Sequence, residues 1–359
     1  MRCLAMTATV LGVLTACSSE SSEPDTNTSG ASATTAAPSA GGPQTVTDGL
    51  DAPWSIAFRG TTPLVSERDT ARILEVASDG RTREVGRVAD AEPRGEGGLL
   101  GIAVRDNWLY AYLTTRSDNR IQRFALSGDA GNLTIGRPET ILDGLPAASI
   151  HNGGRIAFGP DGMLYATVGD AGQRDNAQDR TALGGKILRM TATGQVPEDN
   201  PFPRSLVYSY GHRNVQGIAW GDDGTLYASE FGQNTWDELN VIRPGGNYGW
   251  PIVEGIGETN DSAYIDPVQQ WPTDEASPSG IAFRGNNIVI ANLRGERLRE
   301  VPVTELSSGV DRFTNEYGRL RDAVNAPDGS LWIVTNNTDG RGTPRESDDR
   351  ILRVPDSSR

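Results

Sequence analysis

Cysteine is nearly missing from this chain. Cys3 and Cys17 are the only two in 359 residues. Everything after Cys17 therefore lacks disulfides and cysteine-based metal sites, and must be held by a packed core. Histidine is as scarce, with only His151 and His212. Lysine occurs once, at Lys186, against 32 arginines, a skew that codon usage explains without a functional role. Long apolar runs are absent too. The longest near the start, Leu4 to Val13, falls well short of the ~20 residues that a membrane-spanning helix needs. The net charge of −14 leaves no excess of cations for phosphate, which argues against a nucleic-acid partner. Helix signals are almost missing, whereas glycine (43) and proline (21) are abundant and point to turns.

What is present begins with an export signal over residues 1–17. Arg2 supplies a basic start, the apolar stretch follows, and Leu14-Thr-Ala-Cys17 resembles a bacterial lipobox with Cys17 as the lipidated residue. Residues 18–43 are mostly Ser, Thr, Ala, Gly and Pro, a composition that reads as a flexible tether. These features predict an exported lipoprotein on the outer side of the cytoplasmic membrane, touching the membrane only through its anchor. The globular domain is expected over 44–359.

That domain carries one pattern six times: an apolar strand of the Ile-Ala-Phe type, a tight turn, then an apolar pair such as Leu-Tyr. The copies start at Ile56, Ile102, Ile156, Ile218, Ile281 and Ala323, between 42 and 63 residues apart. Asp-Gly between two short apolar runs, as at Asp161-Gly162 and Asp223-Gly224, is a hairpin signal because the turn needs positive φ. Segments such as Arg72–Val76, Arg120–Phe124, Lys186–Met190 and Arg350–Val354 alternate polar and apolar residues, as half-buried third strands do. Repeated hairpins at this period predict an all-β, six-bladed β-propeller. The longest intervals belong to repeats three and four, so the binding face is expected there.

Residues just after each Leu-Tyr-type strand should converge on one end of the central channel. Asp170 is one of them, and His151 stands just before the third repeat. A carboxylate beside an imidazole fixes its tautomer, which makes His151 a candidate general base. Arg213, before the fourth repeat, is placed to approach the same axis, while His212 is expected to brace its turn.

The motifs Gly97-Gly-Leu-Leu-Gly101, His151-Asn-Gly-Gly-Arg155, Gly159-Pro-Asp-Gly162, Gly211-His-Arg-Asn214, Asp237-Glu-Leu-Asn240 and Gly245-Gly-Asn-Tyr-Gly-Trp-Pro251 together resemble the soluble quinoprotein family of glucose, aldose-sugar and sorbosone dehydrogenases. The resemblance runs from about Leu50 to Arg353. It implies a six-bladed propeller holding pyrroloquinoline quinone (PQQ) with Ca2+ and oxidising an aldose or related sugar at C1 to the lactone. By motif, it makes His151 the base, Asp170 its orienting partner and Arg213 the cation facing the quinone oxygen. Asn214, Arg294, Arg319 and Arg321 match cofactor contacts, and the carbonyls of Gly232 and Gln233 match calcium ligands.

Glu96 stands where the family has a glutamine beside the substrate. Asp175, Asn176 and Gln178 all remain candidates for a second substrate amide. A dimer-bridging calcium site of some members has no match. The electron acceptor is left open. Two other classes compete: a calcium-dependent sugar-lactone hydrolase and a lipid-tethered propeller that binds a ligand without turnover. Arg294, Arg319 and Arg321 favour the quinoprotein, because a tricarboxylate quinone needs cations and a neutral lactone does not.

Overall fold

The computed structural model describes residues 42–257 and 263–355. Cys17, the signal segment and nearly all of the tether lie outside them. Twenty-four strands form six four-stranded antiparallel sheets, the blades of a β-propeller. Blade 1 comprises Pro53–Arg59, Thr62–Glu67, Arg72–Val76 and Thr82–Arg87. Blade 2 comprises Leu99–Arg105, Trp108–Thr114, Asn119–Ser127 and Thr134–Leu145. Blade 3 comprises Ile156–Phe158, Leu164–Val168, Lys186–Met190 and Val207–Tyr210. Blade 4 comprises Val215–Trp220, Leu226–Glu230, Trp236–Ile242 and Gln269–Pro272. Blade 5 comprises Pro278–Arg284, Asn287–Asn292, Arg297–Pro302 and Val310–Arg312.

Blade 6 takes Leu320–Asn325, Leu331–Thr335 and Ile351–Val354 from the end of the domain and its outermost strand, Gln44–Thr47, from the start. Gln44 pairs with Arg353 and Thr47 with Ile351, so the two ends of the ring are sewn together by backbone hydrogen bonds. The six repeat starts fall on the six first strands. Their Asp-Gly turns behave as their chemistry requires, with Gly162 at φ +77°, Gly224 at +82° and Gly329 at +80°.

The core consists of six apolar layers, one between each pair of neighbouring blades. Leu64, Ile73, Leu99 and Leu109 join blades 1 and 2, and Ile56, Val65, Val334 and Ile351 join blades 6 and 1. Closure is thus made by side chains as well as by the shared strand. One local expectation needs correction: Lys186–Met190 is buried along its whole length, not half-buried. Lys186 is covered by the long loop between the second and third strands of its blade, and Arg189 by its ion pairs with Asp161 and Asp199.

Antiparallel order places the start of every first strand and the end of every second strand at the same end of the ring. The sites anticipated from sequence all lie there. Five of the six first strands carry a register shift close to that end. Each shift adds one residue to the first strand, and in three of them a single residue, Trp54, Gln216 or Arg321, is left without a partner on the second strand. Such bulges turn a side chain out of its alternating register.

Candidate active site

His151 lies in the loop that enters blade 3, and Asp170 follows the second strand of that blade. Their side chains meet, with His151 Nδ1 2.7 Å from Asp170 Oδ1. The contact depends on glycine. A Cβ on Gly169 would lie 1.9 Å from the His151 carbonyl oxygen, so only glycine lets the two loops touch. His151 itself is left-handed, at φ +54°. Three bonds hold it there: its N–H donates to Glu96 Oε2 (2.8 Å), its carbonyl accepts from Ala171 N (3.1 Å), and its ring is tied to Asp170. Imidazole Nε2 has no hydrogen bond among the described residues, and the side chain is 13% exposed.

Asp170 is fully buried. Burial by itself would raise its carboxyl, but hydrogen bonds from His151, Gly172 N and Trp250 Nε1 hold it below the usual carboxylate range. A carboxylate that stays ionised keeps the Nδ1 proton of the imidazole and leaves Nε2 as the acceptor. The dyad therefore has the form of an oriented general base facing the open end of the ring.

Arg213 enters from the blade 4 side. Its Nη1 donates to the Phe231 carbonyl (3.0 Å), its guanidinium lies over the Trp250 ring (5.6 Å), and its buried Nε has no partner among the described residues. Burial pushes this guanidinium below its ordinary value, against the pull of Asp170, Glu230 and Glu254. His212 does brace the turn. It is fully buried between Ser209 Oγ (2.8 Å) and Glu230 Oε2 (2.9 Å) and stacks on Tyr248. Asn214, buried beside it, accepts the Gly153 N–H at 3.0 Å and so ties the His151 loop to blade 4.

The channel beneath is lined by arginines. Arg155 crosses the axis from blade 3 to Asp322 of blade 6 (3.0 Å) and lies over Trp54 (4.3 Å). Arg321 points to the same place and also lies over Trp54 (5.7 Å). It binds only neutral oxygens: Gln216 Oε1 (3.1 Å), Ser279 Oγ (3.3 Å) and Asn336 Oδ1 (3.3 Å). Burial pushes it down to about 9, with Arg319, Arg68 and Arg155 adding repulsion against the pull of Asp339.

Arg319 pairs with Asp339 (3.2 Å), while its Nε is buried and unpartnered among the described residues, as is Arg155 Nη2. Three residues that meet here, Trp54, Gln216 and Arg321, are the bulge residues. Arg294 stands apart. It is exposed in the loop after the second strand of blade 5 and has no hydrogen bond or ion pair among the described residues. The arginines are thus brought together only in part, and the site extends over blades 1, 2 and 6 as well as the expected blades 3 and 4.

After the second strand of blade 4 the chain curls around two carboxylates. Gly232 N donates to Asp237 Oδ1 (2.8 Å), and the N–H groups of Gln233, Asn234, Thr235 and Trp236 all converge on Glu254 Oε1. The carbonyls of Gly232 and Gln233 accept no hydrogen bond among the described residues. Free carbonyl oxygens on a pinned loop are hard donors of the kind calcium prefers. The acid side chains are occupied as acceptors, and the described residues contain no cluster of three His, Cys, Asp or Glu able to hold a metal.

A family model described as glucose/sorbosone dehydrogenase matches residues 50–352. The chain belongs to this family. A solved PQQ-bound aldose sugar dehydrogenase from Streptomyces coelicolor is 52% identical, with a TM-score of 0.83 over 87% of this chain and 96% of that one. Aldose sugar dehydrogenase YliI of Escherichia coli is 29% identical over 361 residues, covering 86% of this chain and 94% of the relative. Quinoprotein glucose dehydrogenase B of Acinetobacter calcoaceticus is 32% identical over 242 residues, 56% of this chain and 50% of the relative.

This member of the family is therefore an enzyme, a sugar dehydrogenase, and several of its site residues carry no clear signal in the sequence. Arg341 pairs with Glu96 (3.0 Å), the residue that holds the His151 backbone. Trp250 lies inside the motif Gly245–Pro251, which by itself gives it no role. Lys186 is fully buried and donates to the carbonyls of Asn176, Ala177 and Gly184, clamping the loop that follows Asp170; burial pushes it down to about 8. Of the three substrate-amide candidates, Gln178 is tied to Asn247 and to the Trp250 carbonyl, and Asn176 to Gln173. Asp175 is exposed.

Proposed function

We propose that this enzyme oxidises an aldose at C1 to the lactone, with PQQ and Ca2+ as cofactors. The reading is carried by one observation: an oriented His–Asp dyad beside two buried arginines, Arg213 and Arg321, whose hydrogen bonds end on neutral oxygens. Arg321 fits an anionic ligand because it is a buried cation whose hydrogen bonds end on neutral oxygens. The unpartnered Nε atoms of Arg213 and Arg319 fit the same kind of ligand. Arg319 and Arg321 would hold carboxylates, with Arg294 closing over them from its exposed loop and Asn214 supplying an amide contact. Gly232 and Gln233 would present carbonyls to Ca2+. When bound, the quinone supplies the two-electron acceptor and the metal polarises it.

The chain's own part follows from its geometry. His151 Nε2 takes the C1 hydroxyl proton while that carbon loses hydride. Asp170 keeps the tautomer and stabilises the imidazolium. Arg213 offers positive charge where negative charge grows. Glu96, the expected substrate contact, also holds the His151 backbone, so its charge acts on the base and on the sugar alike.

Export as a lipoprotein anchored through Cys17 completes the proposal and would put the reaction outside the cytoplasmic membrane. A neutral-lactone hydrolase or an inert binding propeller has no use for buried cations beside an oriented base. The test is reconstitution of the purified chain with PQQ and Ca2+, followed by a screen of aldoses with a dye acceptor. Turnover that needs both additions supports the proposal, and turnover indifferent to PQQ would overturn it.

A further inference from the structure

The Asp170 carboxylate has two oxygens, and they do different work. Oδ1 is shared by His151 Nδ1 (2.7 Å) and Gly172 N (2.8 Å). Oδ2 receives the indole N–H of Trp250 at 2.8 Å, a buried contact between residues 80 positions apart. Trp250 is itself fixed from three directions. Its backbone N–H donates to the Gly211 carbonyl (2.9 Å), its carbonyl accepts from Gln178 Nε2 (2.7 Å), and the guanidinium groups of Arg174 (4.5 Å) and Arg213 (5.6 Å) lie over its ring. It therefore touches the loop carrying Asp170 and the loop carrying Arg213.

We propose that Trp250 is a positioning residue for the dyad, its indole N–H fixing the orientation of the Asp170 carboxylate and hence of the imidazole that carboxylate holds. The inference rests on His151 being the base. Without the indole donor, Oδ2 would be buried with no partner, and a carboxylate so deprived is more basic and holds an imidazolium more strongly. The charged groups facing the dyad are Arg213 on the Asp170 side and Glu96, backed by Arg341, on the His151 side. Trp250→Phe changes none of these charges and keeps a ring beneath Arg174 and Arg213.

With only two histidines in the chain, imidazole proton NMR on the full-length protein reads the effect directly, and His151→Gln identifies which signal is which. Trp250→Phe should raise the His151 titration midpoint by roughly 0.5–1 pH unit. In the reconstituted enzyme, the acid limb of kcat/KM should rise with it, while KM for the sugar moves less than kcat. A folded Trp250→Phe protein with an unshifted midpoint overturns the proposal.

If that variant does not fold, the seven indole N–H signals of the wild-type protein decide. One of them should follow the His151 titration and shift in Asp170→Asn, and none doing so overturns the proposal. A shifted midpoint in Trp250→Phe together with full turnover in His151→Gln would instead remove the base reading itself, so the two failures are distinguishable.

Discussion

His151 occupies a left-handed backbone conformation that costs a residue with a Cβ roughly 1–3 kcal/mol. Glu96 is a main part of what keeps it there, since its Oε2 accepts the His151 N–H and its Oε1 pairs with Arg341. Glu96→Gln keeps an acceptor for the backbone and should lower the melting temperature little, whereas Glu96→Ala should cost about 1–2 kcal/mol and lower kcat with it. Thermal melts beside steady-state kinetics check this; equal losses in both variants would mean that the charge, not the acceptor, is what His151 needs. Much of the dyad is legible in the sequence. Two histidines in glycine-rich motifs and a carboxylate ending the next strand are enough to name it. The motif resemblance sets Glu96 beside the sugar only, because nothing in a linear sequence shows a side chain reaching 55 residues ahead to a backbone N–H. Trp250 and Arg341 are hidden for the same reason.

At the scale of strands, the period of the apolar pattern locates all six first strands, because alternation is a local property. The bulges are invisible in it, since one inserted residue among six or seven barely changes the composition. Yet they turn Trp54, Gln216 and Arg321 into the channel, so the site draws on blades 1 and 6 as well as on blades 3 and 4, where the repeat intervals place it. Arg155 and Asp322 span that channel as a buried ion pair. Asp322→Ala leaves the guanidinium buried without its carboxylate and should cost about 3–5 kcal/mol, read as a lower denaturation midpoint; an unchanged midpoint would show that the strut carries no stability.

Blade 4 holds a different kind of buried charge. Glu238 is pushed up to about 8 by burial and by Glu230 nearby. The folded carboxyl keeps its proton where the unfolded one has lost it, so stability falls as pH rises from about 4.5 towards 8. Glu238→Gln should flatten that decline in melts at pH 5 and pH 8, and a wild-type slope in the variant would assign it to other groups.

The described domain is a ring whose last blade borrows its outer strand, Gln44–Thr47, from the domain's start. A protein beginning at Gly42 retains Gln44–Thr47 and should melt as the full chain does. One beginning at Asp48 exposes the edge of Ile351–Val354 and should melt lower and self-associate. Equal melts for the two would mean that the apolar layer between blades 6 and 1 suffices for closure. The central claim is that this ring presents a histidine base to a sugar beside an anionic quinone. Its most direct test is an anaerobic single turnover, in which the chain is loaded with PQQ and Ca2+, mixed with an aldose and followed by the quinone absorbance. The wild-type protein should reduce its quinone and release one lactone per site, while His151→Gln binds the quinone alike but reduces it ~10²–10⁴-fold more slowly. Equal rates in the two proteins, or a wild-type quinone left oxidised by every aldose, would contradict the account.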